Sequence, residues 1–194
     1  MINNTLRRVT ADLAKHGIDY TVIGAVALNQ HGYRRFTEDI DLLLTREGLK
    51  VFEEKLVEGV KGHVQGVRCC RLPYRAATRG KRKRFRRIGG VALNVSVAGE
   101  YPGDGLPKAV QFPDPKDVSV EIDGVKTITL EKLIELKLAS GISAPHRLKD
   151  LADVLELIRV KGLNADFAAY LDESVRAKYL ELNRAAETAC EEDF

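Results

Sequence analysis

Apolar residues recur at helical spacing from about Asn4 to Lys15, at Leu6, Val9, Leu13 and Ala14, and Gly17 then supplies a stop. The pattern predicts an amphipathic opening helix. The short β-branched run Asp19-Tyr20-Thr21-Val22-Ile23 predicts a strand, and Gly24 begins an alanine- and leucine-bearing segment that closes at His31 and Gly32. That reads as strand, tight turn, helix. In Glu38-Asp39-Ile40-Asp41-Leu42-Leu43-Leu44 carboxylates alternate with apolar residues at the start, which predicts a second strand, and a helix is expected from about Arg46 to Glu58. The middle, about Gly62 to Val97, is basic and glycine-punctuated, and Val91–Val97 is its clearest strand. Runs at Val118–Ile122 and Val125–Ile128 flank Asp123-Gly124, a strong hairpin signal. Helical patterning takes over after Thr129, with helices of about Leu130–Ser140 and Ala144–Val160 and one or two more towards the C-terminus. These elements predict an α+β fold: a mixed sheet flanked by helices over residues 1–128, and a helical C-terminal part, residues 129–194, packed on it.

A chain of 194 residues, 44% hydrophobic, is long enough for one full core. No apolar run approaches the roughly 20 residues needed to cross a bilayer, and Met1–Arg8 lacks the apolar block of a signal peptide. A soluble cytoplasmic protein with no membrane contact is expected. The three cysteines, two of them adjacent at Cys69 and Cys70, form no C-x-x-C pair and read as reduced thiols. His16, His31, His63 and His146 lie too far apart for a zinc array, so any metal is expected on oxygen ligands. The net charge of +3 is small but unevenly spread. Seven of the nine residues from 79 to 87 are cationic: Arg79, Lys81, Arg82, Lys83, Arg84, Arg86 and Arg87. Such a run needs solvent or a polyanion, and contact with an RNA backbone is one of its two readings, a solvated hairpin tip the other.

The chemistry concentrates at Asp39 and Asp41. Residues two apart on a strand point to the same face, so the two carboxylates stand side by side, on the order of 7 Å apart at the backbone. Paired oxygen ligands of this kind suit Mg²⁺, which commonly takes one or two carboxylates and completes its shell with water and substrate phosphates. Alone, D-x-D is common at strand edges. Upstream, however, Gly24 lies between a strand and a helix, where backbone N–H groups and the helix dipole favour anions. Such a turn can hold a triphosphate whose metal sits on the neighbouring strand.

Val22-Ile23-Gly24-Ala25, thirteen intervening residues, then Asp39-Ile40-Asp41, with Arg35-Phe36-Thr37 just before the acids, resembles the G-[GS]…D-x-D signature of the DNA polymerase β-type nucleotidyltransferase superfamily. The R-x-T-x-D-I-D form is similar to its AbiEii-like abortive-infection toxin branch and related bacterial proteins. The resemblance extends through Gly99–Gly105 to Leu136-Lys137-Leu138 and the Arg147…Asp150 segment, most of the chain. It implies a nucleotidyltransferase-like fold, contacts from Gly24 and the backbone of Ala25 to a nucleoside triphosphate, and metal ions on Asp39 and Asp41. Arg35 and Thr37 are expected either to orient the strand or the nucleotide, or to serve simply as a salt bridge and a strand-edge hydroxyl. Lys137 falls within the apolar stripe of its helix and is expected to snorkel or, as the resemblance suggests, to neutralise phosphate. Arg147 and Asp150, one turn apart, are expected to pair, with Asp150 or Asp153 facing the site as the alternative.

The superfamily's third carboxylate, which takes the proton from the attacking hydroxyl, aligns here with Asn94. An amide oxygen can ligate a metal but cannot serve as the base, a loss typically of about 10²–10⁴ in rate. Glu100 shares the parity of Asn94, but six residues of continuous strand would carry it roughly 20 Å away. Asp104, in its glycine-rich turn, is likewise read as structural. Two functions follow: a Mg²⁺-dependent transferase that moves a nucleotide to a hydroxyl acceptor such as tRNA, with weakened or lost catalysis, or a non-catalytic nucleotide- or RNA-binding module. A toxin–antitoxin component acting through a protein partner is the third reading.

Overall fold

The computed structural model describes residues 2–57, 86–88 and 90–192. Helix α1 (Ile2–Lys15) buries the face carrying Leu6, Val9 and Leu13, as the apolar spacing predicts. Strand β1 (Tyr20–Ile23), helix α2 (Gly24–Gln30) and strand β2 (Asp39–Leu44) follow, and all four residues of β1 are buried. Helix α3 (Arg46–Val51) is capped by Thr45, whose side chain accepts a hydrogen bond from the Gly48 N–H. The expected helix to Glu58 does not stay α-helical, because Phe52–Val57 widens into a π-helical turn, with Phe52 anchored in the core.

Strands β3 (Arg86–Ile88), β4 (Val91–Val97), β5 (Ser119–Ile122) and β6 (Val125–Ile128) complete one mixed sheet in the order β3-β4-β2-β1-β6-β5. β5 and β6 are the expected hairpin. Its turn residues, Asp123 at φ +51° and Gly124 at φ +77°, both take the left-handed conformation that matches the twist of paired strands. β1 runs antiparallel to β2 and parallel to β6, and β2 runs parallel to β4, with Asp39 opposite Ala92, Asp41 opposite Asn94 and Leu43 opposite Ser96.

Side-chain alternation then sorts β2 into two faces. Ile40, Leu42 and Leu44 join Leu6, Val9, Leu13, Phe52 and Leu93 in one core under α1, while Leu43 joins Ile23 and Leu28 in a second core against the C-terminal helices. Asp39 and Asp41 share the parity of Leu43, so they face that helical layer. The layer consists of α4 (Leu130–Ser143), α5 (Leu148–Lys161) and α6 (Glu173–Glu192), with 3₁₀ turns at Pro145–Arg147 and Ala165–Tyr170. α4 is buried from Leu133 to Gly141. At Gly141 an added Cβ would lie 2.5 Å from Leu151, so a side chain there would force α4 and α5 apart. No helix among the described residues is long and apolar enough to cross a membrane. Cys69, Cys70, His63 and the basic residues Arg79, Lys81, Arg82, Lys83 and Arg84 lie outside the described residues, whereas Arg86 and Arg87 begin β3.

Candidate active site

The turn from β1 into α2 lies directly over the carboxylate pair. Gly24 has φ +69°, and a Cβ built on it would sit 2.1 Å from Asp41 Oδ2. Both facts demand glycine: the backbone is left-handed, and the Asp41 carboxylate presses against the Cα. Ala25, the next residue, is buried, and no side chain caps the start of α2.

Each oxygen of Asp39 is held. Thr37 Oγ1 donates to Asp39 Oδ1 at 2.6 Å, and Asn94 Nδ2 donates to Asp39 Oδ2 at 2.9 Å. The same amide nitrogen donates to Asp41 Oδ1 at 2.8 Å, so one NH₂ group bridges two carboxylates. Register explains the meeting: Asp41 and Asn94 are paired neighbours across parallel strands, and Asp39 is two residues back on the same face. The amide's other end, Asn94 Oδ1, is buried without a partner among the described residues. A half-turn of the amide would bring that oxygen to the point where the two carboxylates converge. The set would then comprise three oxygens, a hard-donor set that fits Mg²⁺ or a similar divalent cation. Turned inward, the amide oxygen would need a cation between it and the two negative charges. Among the described residues no cluster of three His, Cys, Asp or Glu side chains exists that could hold a metal, so two carboxylates and an amide are the donors in question.

Across from the sheet stands an ionic cluster on the helices. Lys137 Nζ, on α4, donates to Asp153 Oδ2 at 2.7 Å and to Asp150 Oδ1 at 3.2 Å. Asp150 Oδ2 also accepts from Ser140 Oγ at 2.7 Å and from Arg147 Nε at 2.8 Å. Burial alone would raise the Asp150 carboxyl, but Lys137, the Ser140 bond and Arg147 together outweigh it and hold it below the usual carboxylate range. Arg35, in the loop before β2, forms an ion pair with Asp153, and the Asn29 side chain clasps its backbone through bonds of 2.6 and 3.0 Å. Its Nε is buried without a partner among the described residues. Three cations therefore meet two carboxylates here, leaving one excess positive charge.

Between the walls lies a cavity of about 350 Å³. It is lined by Gly24, Ala25, Arg35, Asp39 and Asp41, by Val95 and Ser96 of β4, and by Lys137, Ser140, His146, Arg147, Lys149 and Asp150 of the helical side. Gly24, Ala25, Arg35, Asp39, Asp41, Lys137 and Asp150, all singled out from the sequence, thus border one space. Thr37 and Asn94 do not line it but bind residues that do. Arg147 pairs with Asp150, as its helical spacing suggests.

The third wall is the segment from Glu100 to Gly103, and here the strand extrapolation fails. β4 ends at Val97 and the chain turns at Gly99: the Gly99 N–H donates to the Phe112 carbonyl, the Phe112 N–H donates to the Glu100 carbonyl, both at 2.8 Å, and the Glu100 N–H bonds back to Val97 at 3.1 Å. Glu100 consequently borders the same cavity as Asp39 and Asp41 instead of running off 20 Å along a strand. Further on, a Cβ at Gly103 would lie 1.9 Å from Ser143 Oγ, so only glycine lets this segment lie so close to α4. Asp104 is engaged in a structural pair with Lys108. His146 and Lys149 also border the space, and no sequence motif marked them.

A family model described as nucleotidyl transferase AbiEii toxin, type IV TA system, matches residues 6–193. No curated protein matches the sequence. Among solved structures, the antibiotic-resistance factor ANT(2'')-Ia aligns over 98% of this chain and 95% of its own at 18% identity and a TM-score of 0.52. The same factor in complex with adenylyl-2''-tobramycin aligns over 92% and 97% at 17% identity and a TM-score of 0.54. JHP933 from Helicobacter pylori aligns over 98% and 92% at 15% identity and a TM-score of 0.52. At these identities the likeness is one of fold, and it extends over nearly the whole chain.

Proposed function

Because the chain belongs to the nucleotidyl transferase AbiEii toxin family of type IV toxin–antitoxin systems, we propose that this cavity binds a nucleoside triphosphate with Mg²⁺ and transfers its nucleotidyl group to a hydroxyl on RNA, tRNA being the natural candidate. The observation that carries the reading is the convergence of Asp39 Oδ2, Asp41 Oδ1 and the Asn94 amide on one point beneath the Gly24 turn. Asp39, Asp41 and the Asn94 amide oxygen would hold the Mg²⁺, which would supply charge neutralisation and polarisation.

The chain's own residues do the rest. Thr37 locks the Asp39 carboxylate in its orientation, and Gly24 lets the turn approach Asp41. The backbone N–H groups of Gly24 and Ala25, at a helix start with no side-chain cap, would face the phosphate oxygens. Arg35 and Lys137 lend the helical wall its excess positive charge opposite a polyanion, and Asp150 and Asp153 hold both cations in place. The two buried polar atoms without partners among the described residues, Asn94 Oδ1 and Arg35 Nε, both belong to this site, where a bound ligand would complete them. Arg79–Arg87 gives the acceptor's backbone a cationic stretch, and a protein antitoxin would be the partner that restrains the activity.

A specific observation favours a second reading, in which nucleotide binds without turnover. Asn94 offers protons to both carboxylates and has no basic oxygen with which to take one. Incubating the purified chain with Mg²⁺, each labelled triphosphate and a tRNA pool separates the two. Transfer by the wild-type chain that Asp39→Ala abolishes supports the enzyme. Transfer seen only after Asn94→Asp marks a degenerate member. Failure to bind any triphosphate in the presence of Mg²⁺ overturns the site.

A further inference from the structure

Resting on the transfer reading, we propose that Glu100 is the proton acceptor for the attacking hydroxyl, supplying from the turn after β4 the base that Asn94 cannot supply from the strand. Four acidic residues line the cavity. Asp39 and Asp41 are tied to Thr37 and Asn94 and form the cation set. Asp150 accepts from Ser140, Lys137 and Arg147, which makes it a poor proton acceptor. Glu100 differs from all three: half-buried on the cavity wall, its carboxylate makes no hydrogen bond or ion pair among the described residues, while its backbone is pinned on both sides, to Val97 and to Phe112. A carboxylate free to take a proton, mounted on a fixed turn, is what general-base catalysis requires.

The positive groups facing it from the helices, Lys137 and Arg147, are already paired with carboxylates, and Lys149 is exposed. His146, also on the wall and exposed, is the rival base. In the step itself the hydroxyl proton passes to a Glu100 carboxylate oxygen as the hydroxyl oxygen bonds to the α-phosphorus. The bond from that phosphorus to the oxygen bridging the β-phosphate breaks, and its electron pair leaves with pyrophosphate. Glu100, now neutral, then returns the proton to solvent.

The test uses the full chain with Mg²⁺, α-labelled triphosphates and a tRNA pool, and reads label transfer, pyrophosphate release and triphosphate Kd from pH 4.5 to 9. Glu100→Gln is expected to lower kcat by about 10²–10⁴ with Kd unchanged within about twofold, and to remove the acid limb of the wild-type pH profile. Adding Asn94→Asp in that background is expected to restore transfer at least tenfold, because a base returns at the strand. An unchanged rate in Glu100→Gln, a loss matched by equal loss of triphosphate binding, or an acid limb abolished by His146→Ala instead each overturns the proposal. A wild-type chain that binds triphosphate but neither transfers nor releases pyrophosphate overturns it too, while leaving the site reading intact. A chain that binds no triphosphate overturns the site reading itself.

Discussion

The two walls of the cavity are built on opposite electrostatic plans. On the sheet, Asp39 and Asp41 stand side by side with the neutral amide of Asn94 donating to both, so the pair brings negative charge to this wall. On the helices, Asp150 and Asp153 are bracketed by Lys137, Arg147 and Arg35, so charge is more than matched within the protein. The ion pairs of the helical wall close within the protein, whereas the proposed cation would act on the sheet wall. On the proposed function, stability therefore leans on the first wall and ligand binding on the second. Their opposite signs also suit opposite ends of a magnesium–triphosphate complex.

Lys137→Met should strike the stable wall hardest, because it strips one cation from two buried carboxylates. Removing one member of a buried ion pair costs about 3–5 kcal/mol, and the low end applies here since Arg35 and Arg147 remain. Urea unfolding should show that loss in wild-type buffer without nucleotide, and a loss below about 1 kcal/mol would mean the cluster is no structural keystone. Gly24→Ala tests the other wall. Its Cβ would force Asp41 to move, and if Asp41 acts as proposed, a displacement of about 1 Å costs on the order of 10²-fold in turnover. Cation binding should weaken alongside, with unfolding by urea much less affected than in Lys137→Met. If Gly24→Ala unfolds the chain as Lys137→Met does, the division between the walls fails.

Acidification gives the smallest effect. His31, buried off the cavity, has its imidazole pushed below 6.5 chiefly by burial, although its bond to the Ile128 carbonyl at 2.7 Å opposes the shift. Its contribution to stability is full above pH 6.5 and is lost as pH falls through the lowered folded value. Asp150, depressed below 3.8, contributes fully above that pH and loses its share as pH falls through its own folded value. Unfolding free energy should therefore decline in two steps from neutrality downwards. His31→Gln should erase the first step, and Ser140→Ala should move the second to higher pH.

Local rules made much of the fold legible. The Asp123-Gly124 turn, the apolar stripe of α1 and the alternation of β2 each specify their element from a few neighbouring residues, and the parity of Asp39 and Asp41 follows from the strand alone. What escaped depends on distant partners. Glu100 reaches the cavity only because Gly99 pairs with Phe112, thirteen residues later, and sequence parity assumes a strand that continues. Lys137 could be placed on a helix face, but its two carboxylate partners stand on the next helix, 13 and 16 residues away, across a connection whose path no local pattern fixes. Thr37 was marked by its place before the acids, yet only the folded strand shows its hydroxyl on Asp39. A legible signal for Glu100 did exist: the glycines at 99, 103 and 105 announce a turn, and a turn is where extrapolation along a strand should stop.

Asn94 and an aspartate are isosteres, equal in shape and differing by an NH₂ group in place of an oxygen, and their codons differ by a single base. An aspartate there would keep the shape of the packing between β2 and β4 but lose the two donations to Asp39 and Asp41, and the formal charge of the cavity floor would change from −2 to −3. One mutational step thus sets how strongly this floor attracts cations and repels a polyanion.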